Sequence, residues 1–152
     1  YQAITDFSRP LQLVMKFKIP QYAQKVDNHL RLVPITFRSI ITSGGLQPYL
    51  NAANPEKRNT PLDFWCPRAF KVRETMTLPG KFNLVDKPES VNINNEIGTV
   101  QASLIINKNQ LTFSSDWKVV PRTIPTAKYT LFKNIVDAVK KLNNQVIWLK
   151  QG

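Results

Sequence analysis

Between residues 98 and 119 the sequence repeats with a period of two, and this constrains the chain more than any other feature. Val100, Ala102, Leu104 and Ile106 fall at every second position, and Asn107–Lys108–Asn109 then breaks the run. Beyond it Leu111, Phe113, Ser115, Trp117 and Val119 alternate with Thr112, Ser114, Asp116 and Lys118. Side chains point to one face at a two-residue spacing only in extended backbone, so the segment is a β-hairpin with one buried face. The same spacing recurs elsewhere. Phe70, Val72, Met76 and Leu78 oppose Lys71, Arg73, Thr75 and Thr77, with Glu74 interrupting the apolar face. Phe82 with Leu84 and Val91 with Ile93 form two short runs, separated by Lys87–Pro88. Upstream, Leu11, Leu13, Met15, Phe17 and Ile19 alternate until Pro20, and Leu30 with Leu32 follow an Asp27–Asn28 turn. Pro79–Gly80 and Asn94–Gly98 add turn signals. Strands this short and evenly spaced predict a mainly β protein, an antiparallel β-sandwich.

The period changes once. From Pro125 to Asn143 the apolar residues Tyr129, Phe132, Ile135, Val136, Val139 and Leu142 are three or four apart, which makes one stripe on a helix. Thr126 is the expected N-cap, or Pro125 sits in the first turn with Thr123 outside it. Lys140 and Lys141 fall in the last turn, where the helix dipole favours positive charge. Asn143–Asn144 supplies a left-handed stop. Val146–Leu149 then forms a short closing strand. The expected lid is this helix, laid over the sheet face that carries Leu111, Phe113, Trp117 and Val119.

Two segments are less regular. Ile35, Phe37, Ile40 and Ile41 make an apolar stretch ending at Gly44–Gly45, and from Gln47 to Pro61 the chain turns to Pro, Asn, Ala and charge. That is loop composition, and loops of about 15 residues usually carry function or motion. The chain reads as one domain over 1–152, expected to be a fragment of a larger chain; Tyr1, with no export signal after it, is read as either a cut boundary or a processing site, and localisation is not legible from this terminus. No uncharged apolar run approaches the ~18 residues of a membrane helix.

Catalytic equipment is sparse. The only cysteine is Cys66 and the only histidine is His29, which excludes an internal disulfide and a His-cluster metal site. Cys66 lies between Trp65 and Pro67, an apolar setting that leaves a thiol inert. The carboxylates Asp63, Glu74, Asp86, Glu89 and Glu96 are dispersed and mostly adjoin turns. Gly44–Gly45 lacks the Lys-Ser/Thr of a phosphate loop. The expectation is a non-enzyme with no catalytic residue, metal or cofactor. Lys and Arg number 21 against 10 acids, a net charge of +11, yet the longest like-charged run is Lys140–Lys141. Scattered lysine reads as solvated surface, with no specific nucleic-acid partner. A free-standing binding module for an anionic polymer or surface is the alternative reading of that charge.

Two constellations remain. Arg58, Pro61, Leu62, Asp63 and Phe64 close the long loop, and Arg122, Ile124, Pro125, Tyr129 and Phe132 lead into the helix. Arg58 beside Asp63 suggests an ion pair that fixes a crossover between sheets. Tyr129 and Phe132, one turn apart, can dock on a sheet as apolar anchors. Tyr49, Arg58 and Trp65 are the candidate residues of a ligand or partner surface.

The run Arg58-Asn59-Thr60-Pro61-Leu62-Asp63-Phe64, the segment Glu74-Thr75-Met76-Thr77-Leu78-Pro79-Gly80, and Arg122-Thr123-Ile124-Pro125 with Tyr129 and Phe132 occur in an order that resembles one bacterial family. They are similar to the C-terminal β-sandwich region of multidomain transglutaminase-like proteins, over nearly the whole chain from about Ile4 to Lys150. Trp65–Cys66 and the strongly basic balance depart from the pattern. The resemblance implies a non-catalytic accessory module whose papain-like core, with its Cys, His and Asp, lies upstream of Tyr1. It also implies a periplasmic or extracellular location. The expected partners are neighbouring domains of the parent protein and a peptide or glycan ligand, with the chain itself a monomer.

Overall fold

The computed structural model describes residues 18–34, 46–86 and 90–152. The strand expected from Leu11 to Ile19 falls almost wholly outside the described residues, as do Ile35–Gly45 and the Lys87–Pro88 separator. The order of elements is β1 (Gln24–Val26), β2 (His29–Leu32), α1 (Gln47–Ala52), β3 (Leu62–Asp63), β4 (Arg68–Thr77), β5 (Phe82–Leu84), β6 (Val91–Asn95), β7 (Gly98–Asn107), β8 (Gln110–Val119), β9 (Thr123–Ile124), α2 (Tyr129–Asn143) and β10 (Ile147–Gln151). The protein is mostly β with antiparallel sheets and one C-terminal helix followed by a short strand.

The long hairpin β7–β8 is the centre of a four-stranded sheet in the order β4-β8-β7-β6. Its register pairs Val100 with Trp117 and Leu104 with Phe113, so the apolar sets of both strands share one face. All five residues at the β8 alternation positions, Leu111, Phe113, Ser115, Trp117 and Val119, are buried. Lys108 turns the hairpin at a φ of 54°, a left-handed backbone that matches the twist of the strands. At the other end Gly98 lets β7 approach β8 closely: a Cβ there would stand 1.9 Å from the Lys118 carbonyl oxygen. The Asn95 side chain closes the β6–β7 turn by accepting bonds from the Ile97 and Gly98 N–H groups. Asn94 and Asn95 therefore belong to β6, and the turn is tighter than the five-residue loop read from sequence. Glu74 sits in the apolar register of β4 without being isolated, because the Tyr22 hydroxyl bonds to its carboxylate.

A second sheet, β1-β2-β10-β5, pairs Ile147 with Leu32 and Leu149 with both Leu30 and Leu84. Its buried residues, most of those of the large sheet and the stripe of α2 belong to one continuous core. Tyr129, Phe132, Ile135, Val136, Val139 and Leu142 are all buried, and α2 lies over β7 and β6. Burying six such side chains contributes roughly 1.5–3 kcal/mol for each large one, comparable in sum to a whole domain's net stability.

The ends of α2 differ from the sequence expectation. A 3-10 turn, Thr126–Lys128, precedes the helix, Lys128 occupies the N-cap and no side chain caps it. Thr126 is taken up by that turn. The C-cap Asn144 has a φ of −93°, so the stop is not left-handed. Its N–H bonds to the Lys140 and Lys141 carbonyls instead, and Gln145 N–H to that of Leu142, which satisfies the last turn.

Candidate functional site

The segment from 47 to 61 is not loop throughout. Gln47–Ala52 is a helix, with Pro48 in its first turn, where the missing N–H is not needed. Its anchor is Tyr49, only 2% exposed. The Tyr49 ring stacks on Phe64 at 4.1 Å and meets the Trp117 ring edge-on at 5.3 Å. Phe132 of α2 completes the cluster, 5.7 Å from Phe64. The Tyr129 hydroxyl reaches the Pro55 and Ala52 carbonyls, the latter at 3.3 Å, while Lys140 Nζ donates to the Asn54 side chain at 3.1 Å. The lid helix thus also clamps the end of α1.

The two sequence constellations pair with each other. Leu62–Asp63 and Thr123–Ile124 form a two-stranded sheet, and Phe64 N–H donates to the Arg122 carbonyl at 2.8 Å. The Thr123 hydroxyl donates to Asp63 at 2.6 Å. That bond takes the place of the expected Arg58–Asp63 ion pair, which does not occur among the described residues. Arg58 is half-buried with its Nε lacking a hydrogen-bond partner.

Past β3 the chain turns outward. Phe64 points into the core, and Trp65 is 96% exposed. The Tyr49 hydroxyl donates to the Cys66 carbonyl at 3.0 Å and pins this corner. Cys66 itself is exposed, contrary to the apolar setting expected from Trp65 and Pro67. Both neighbours extend into solvent or turn the chain, and neither covers the thiol.

These segments enclose a cavity of about 490 Å³. Its walls are Pro48, Tyr49, Ala52, Leu62 and Phe64, with the exposed Trp65 and Cys66 at its mouth. Asp63 and Arg68 are its charged lining residues. Arg58, the arginine singled out in the sequence, does not line it; Arg68 does. The signal for Arg68 was available, since it shares the inward register of β4 with Phe70 and Val72. Burial pushes the Tyr49 hydroxyl above its ordinary pKa, opposed by the Arg68 guanidinium beside it. His29 is elsewhere, edge-on to Trp148 at 6.5 Å and lining a separate cavity with Lys25 and Phe82. A larger hollow of about 690 Å³ lies on the outer face of the large sheet, among Lys71, Arg73, Gln101 and Asp116. It is a shallow row of solvated side chains crossed by a Lys71–Asp116 ion pair at 3.3 Å, with no aromatic wall.

The family profile described as a domain of unknown function with a solved structure, DUF3858, matches residues 29–149, from the start of β2 into β10. This chain belongs to the DUF3858 family. Among curated proteins none matches this DUF3858 chain. Its fold is similar to part of a crystal structure of a "putative protease" from Parabacteroides distasonis ATCC 8503, with a TM-score of 0.65 and 15% sequence identity. The match covers 82% of this DUF3858 chain and 24% of that protein, so the chain spans about a quarter of its length. At that identity the likeness is one of fold. In the described residues no helix is long and apolar enough to cross a membrane.

Proposed function

We propose that this chain is a non-catalytic accessory module of a larger transglutaminase-like, papain-fold protein, supporting or positioning its catalytic core in the periplasm or outside the cell. The observation that carries this reading is where the motif residues go. Leu62, Phe64, Ile124, Tyr129 and Phe132 are buried, and Asp63 is bonded by Thr123. The side chains that give the chain its resemblance therefore hold β3, β9, α1 and α2 together. A catalytic motif would instead present a nucleophile and a base to a common point. Cys66 and His29 line different cavities. A module spanning about a quarter of a protein with the same local fold suits an accessory position in a longer chain.

Two assays test this. The isolated chain is incubated with a glutamine-bearing protein plus a fluorescent amine, and separately with a general peptidase substrate. No turnover is expected in either. Turnover that disappears in Cys66→Ser would overturn the non-catalytic reading. In the longer parent protein, a Cys…His…Asp core upstream and loss of soluble, active core on deleting this module are expected. A parent whose core works equally well without the module would also contradict it.

A further inference from the structure

We infer that the cavity beside Trp65 is a docking site for an acidic peptide segment, one that inserts an aromatic or aliphatic side chain and sets a carboxylate against Arg68. The site goes beyond the accessory role and does not depend on which core the parent carries. Three observations meet there. A cavity of about 490 Å³ falls within the ~300–1,000 Å³ of ordinary ligand pockets. Its walls, Pro48, Tyr49, Leu62 and Phe64, are apolar or aromatic, with Tyr49 stacked on Phe64. Trp65 stands at the mouth, 96% exposed and in no ring contact among the described residues, held outward by a corner that the Tyr49–Cys66 hydrogen bond fixes. Tryptophan is among the residues most enriched where binding energy concentrates, once a partner covers it.

Charge selects the occupant. Arg68 is half-buried on the cavity wall, and no carboxylate pairs with it among the described residues. Asp63, the other charged lining residue, is exposed, so water screens its charge, and it accepts the Thr123 hydroxyl. A guanidinium partly removed from water, with no counter-ion among the described residues, favours an incoming carboxylate, which it can hold with two parallel N–H···O bonds. The overall charge of +11 draws acidic partners in the same direction. A glycan fits these walls less well. Sugar hydroxyls need several polar partners, and the side chains of Pro48, Ala52, Leu62 and Phe64 offer none.

The test uses the chain as it is, with a fluorescently labelled, N-acetylated hexapeptide of alternating phenylalanine and glutamate, and the same peptide with glutamine for glutamate. Wild type should bind the acidic peptide saturably, at least about tenfold more tightly than the glutamine peptide. Trp65→Ala, confirmed folded by circular dichroism, should weaken the acidic peptide by about tenfold or more. In Arg68→Gln the two peptides should bind alike, a loss of discrimination that a merely destabilised fold would not produce. Polygalacturonate serves as the glycan probe. No saturable peptide binding at about 1 mM would overturn the proposal. So would peptide binding unchanged by both substitutions, or polygalacturonate binding that needs Trp65 while the peptide does not bind.

Discussion

Phe64 and Trp65 are neighbours in the chain and opposites in the fold. Phe64 is packed between Tyr49 and Phe132, and Phe132 is 0% exposed. Trp65, a larger ring, is 96% exposed. On the α2 side, every large apolar residue of the helix stripe has a partner ring or aliphatic face, and the polar groups around it are bonded to the end of α1. On the solvent side, a cavity ends in an uncovered indole and an arginine that no carboxylate pairs with among the described residues. The same aromatic chemistry thus serves stability in one region and is left open to a partner in the other. The boundary between them is the Tyr49–Phe64 stack.

Substitutions should separate the two regions sharply. The largest effect is expected for Phe132→Ala, which deletes a fully buried aromatic and should cost roughly 3–5 kcal/mol in urea denaturation. A loss under about 1 kcal/mol, the scale of surface changes, would mean that α2 is not a structural lid. Gly98→Ala attacks the buried region from the sheet side. Its methyl would meet the Lys118 carbonyl at 1.9 Å, so β7 and β8 must separate locally. The expected cost is roughly 1–3 kcal/mol, read as a lower thermal midpoint; an unchanged midpoint would show that the two strands have slack there.

Tyr49→Phe acts at the boundary. It removes the bond to the Cys66 carbonyl and should cost about 1 kcal/mol. It also carries a pH signature. Burial raises the Tyr49 pKa above its ordinary 10.0, with Arg68 opposing, so the folded state holds this proton more tightly than the unfolded one. The associated stability is present below pH 10.0 and is lost as pH rises through the raised folded value. Stability measured across that alkaline range should therefore fall less steeply in Tyr49→Phe than in wild type. Identical slopes would mean that the hydroxyl is not resisting ionisation.

Much of the buried region was legible because its periods are long and unbroken. Ten-residue strands at a spacing of two, and a fifteen-residue helix with a six-residue stripe, each repeat a local rule many times. The candidate site repeats nothing. Helix α1 is a six-residue element that contains a proline, a glutamine and an asparagine, too short for a stripe, and it exists because Tyr49 packs on residues far along the chain. The β3–β9 pairing joins segments about 60 residues apart, so both motifs were visible while their contact was not. Cys66 shows that apolar neighbours do not imply burial: exposure is decided by the direction of the chain at Trp65, which only the Tyr49 hydrogen bond reveals. Arg58 stands in a stretch of loop composition while Arg68 opens β4, so only the folding of that stretch back on the strand shows which arginine meets Tyr49.

The smallest effects belong to the open region. Cys66→Ser should change stability by no more than about 0.5 kcal/mol, because the thiol is exposed. A loss above about 1 kcal/mol would place the sulfur in a packed setting and shift the boundary outward.

The most direct measurement sets Trp65→Ala beside Phe132→Ala in one urea denaturation series with wild type. If burial divides the two regions as described, Trp65→Ala stays within about 0.5 kcal/mol of wild type while Phe132→Ala loses roughly 3–5 kcal/mol. Comparable losses for the two variants would contradict the division, since they would mean that the indole at residue 65 is part of the core.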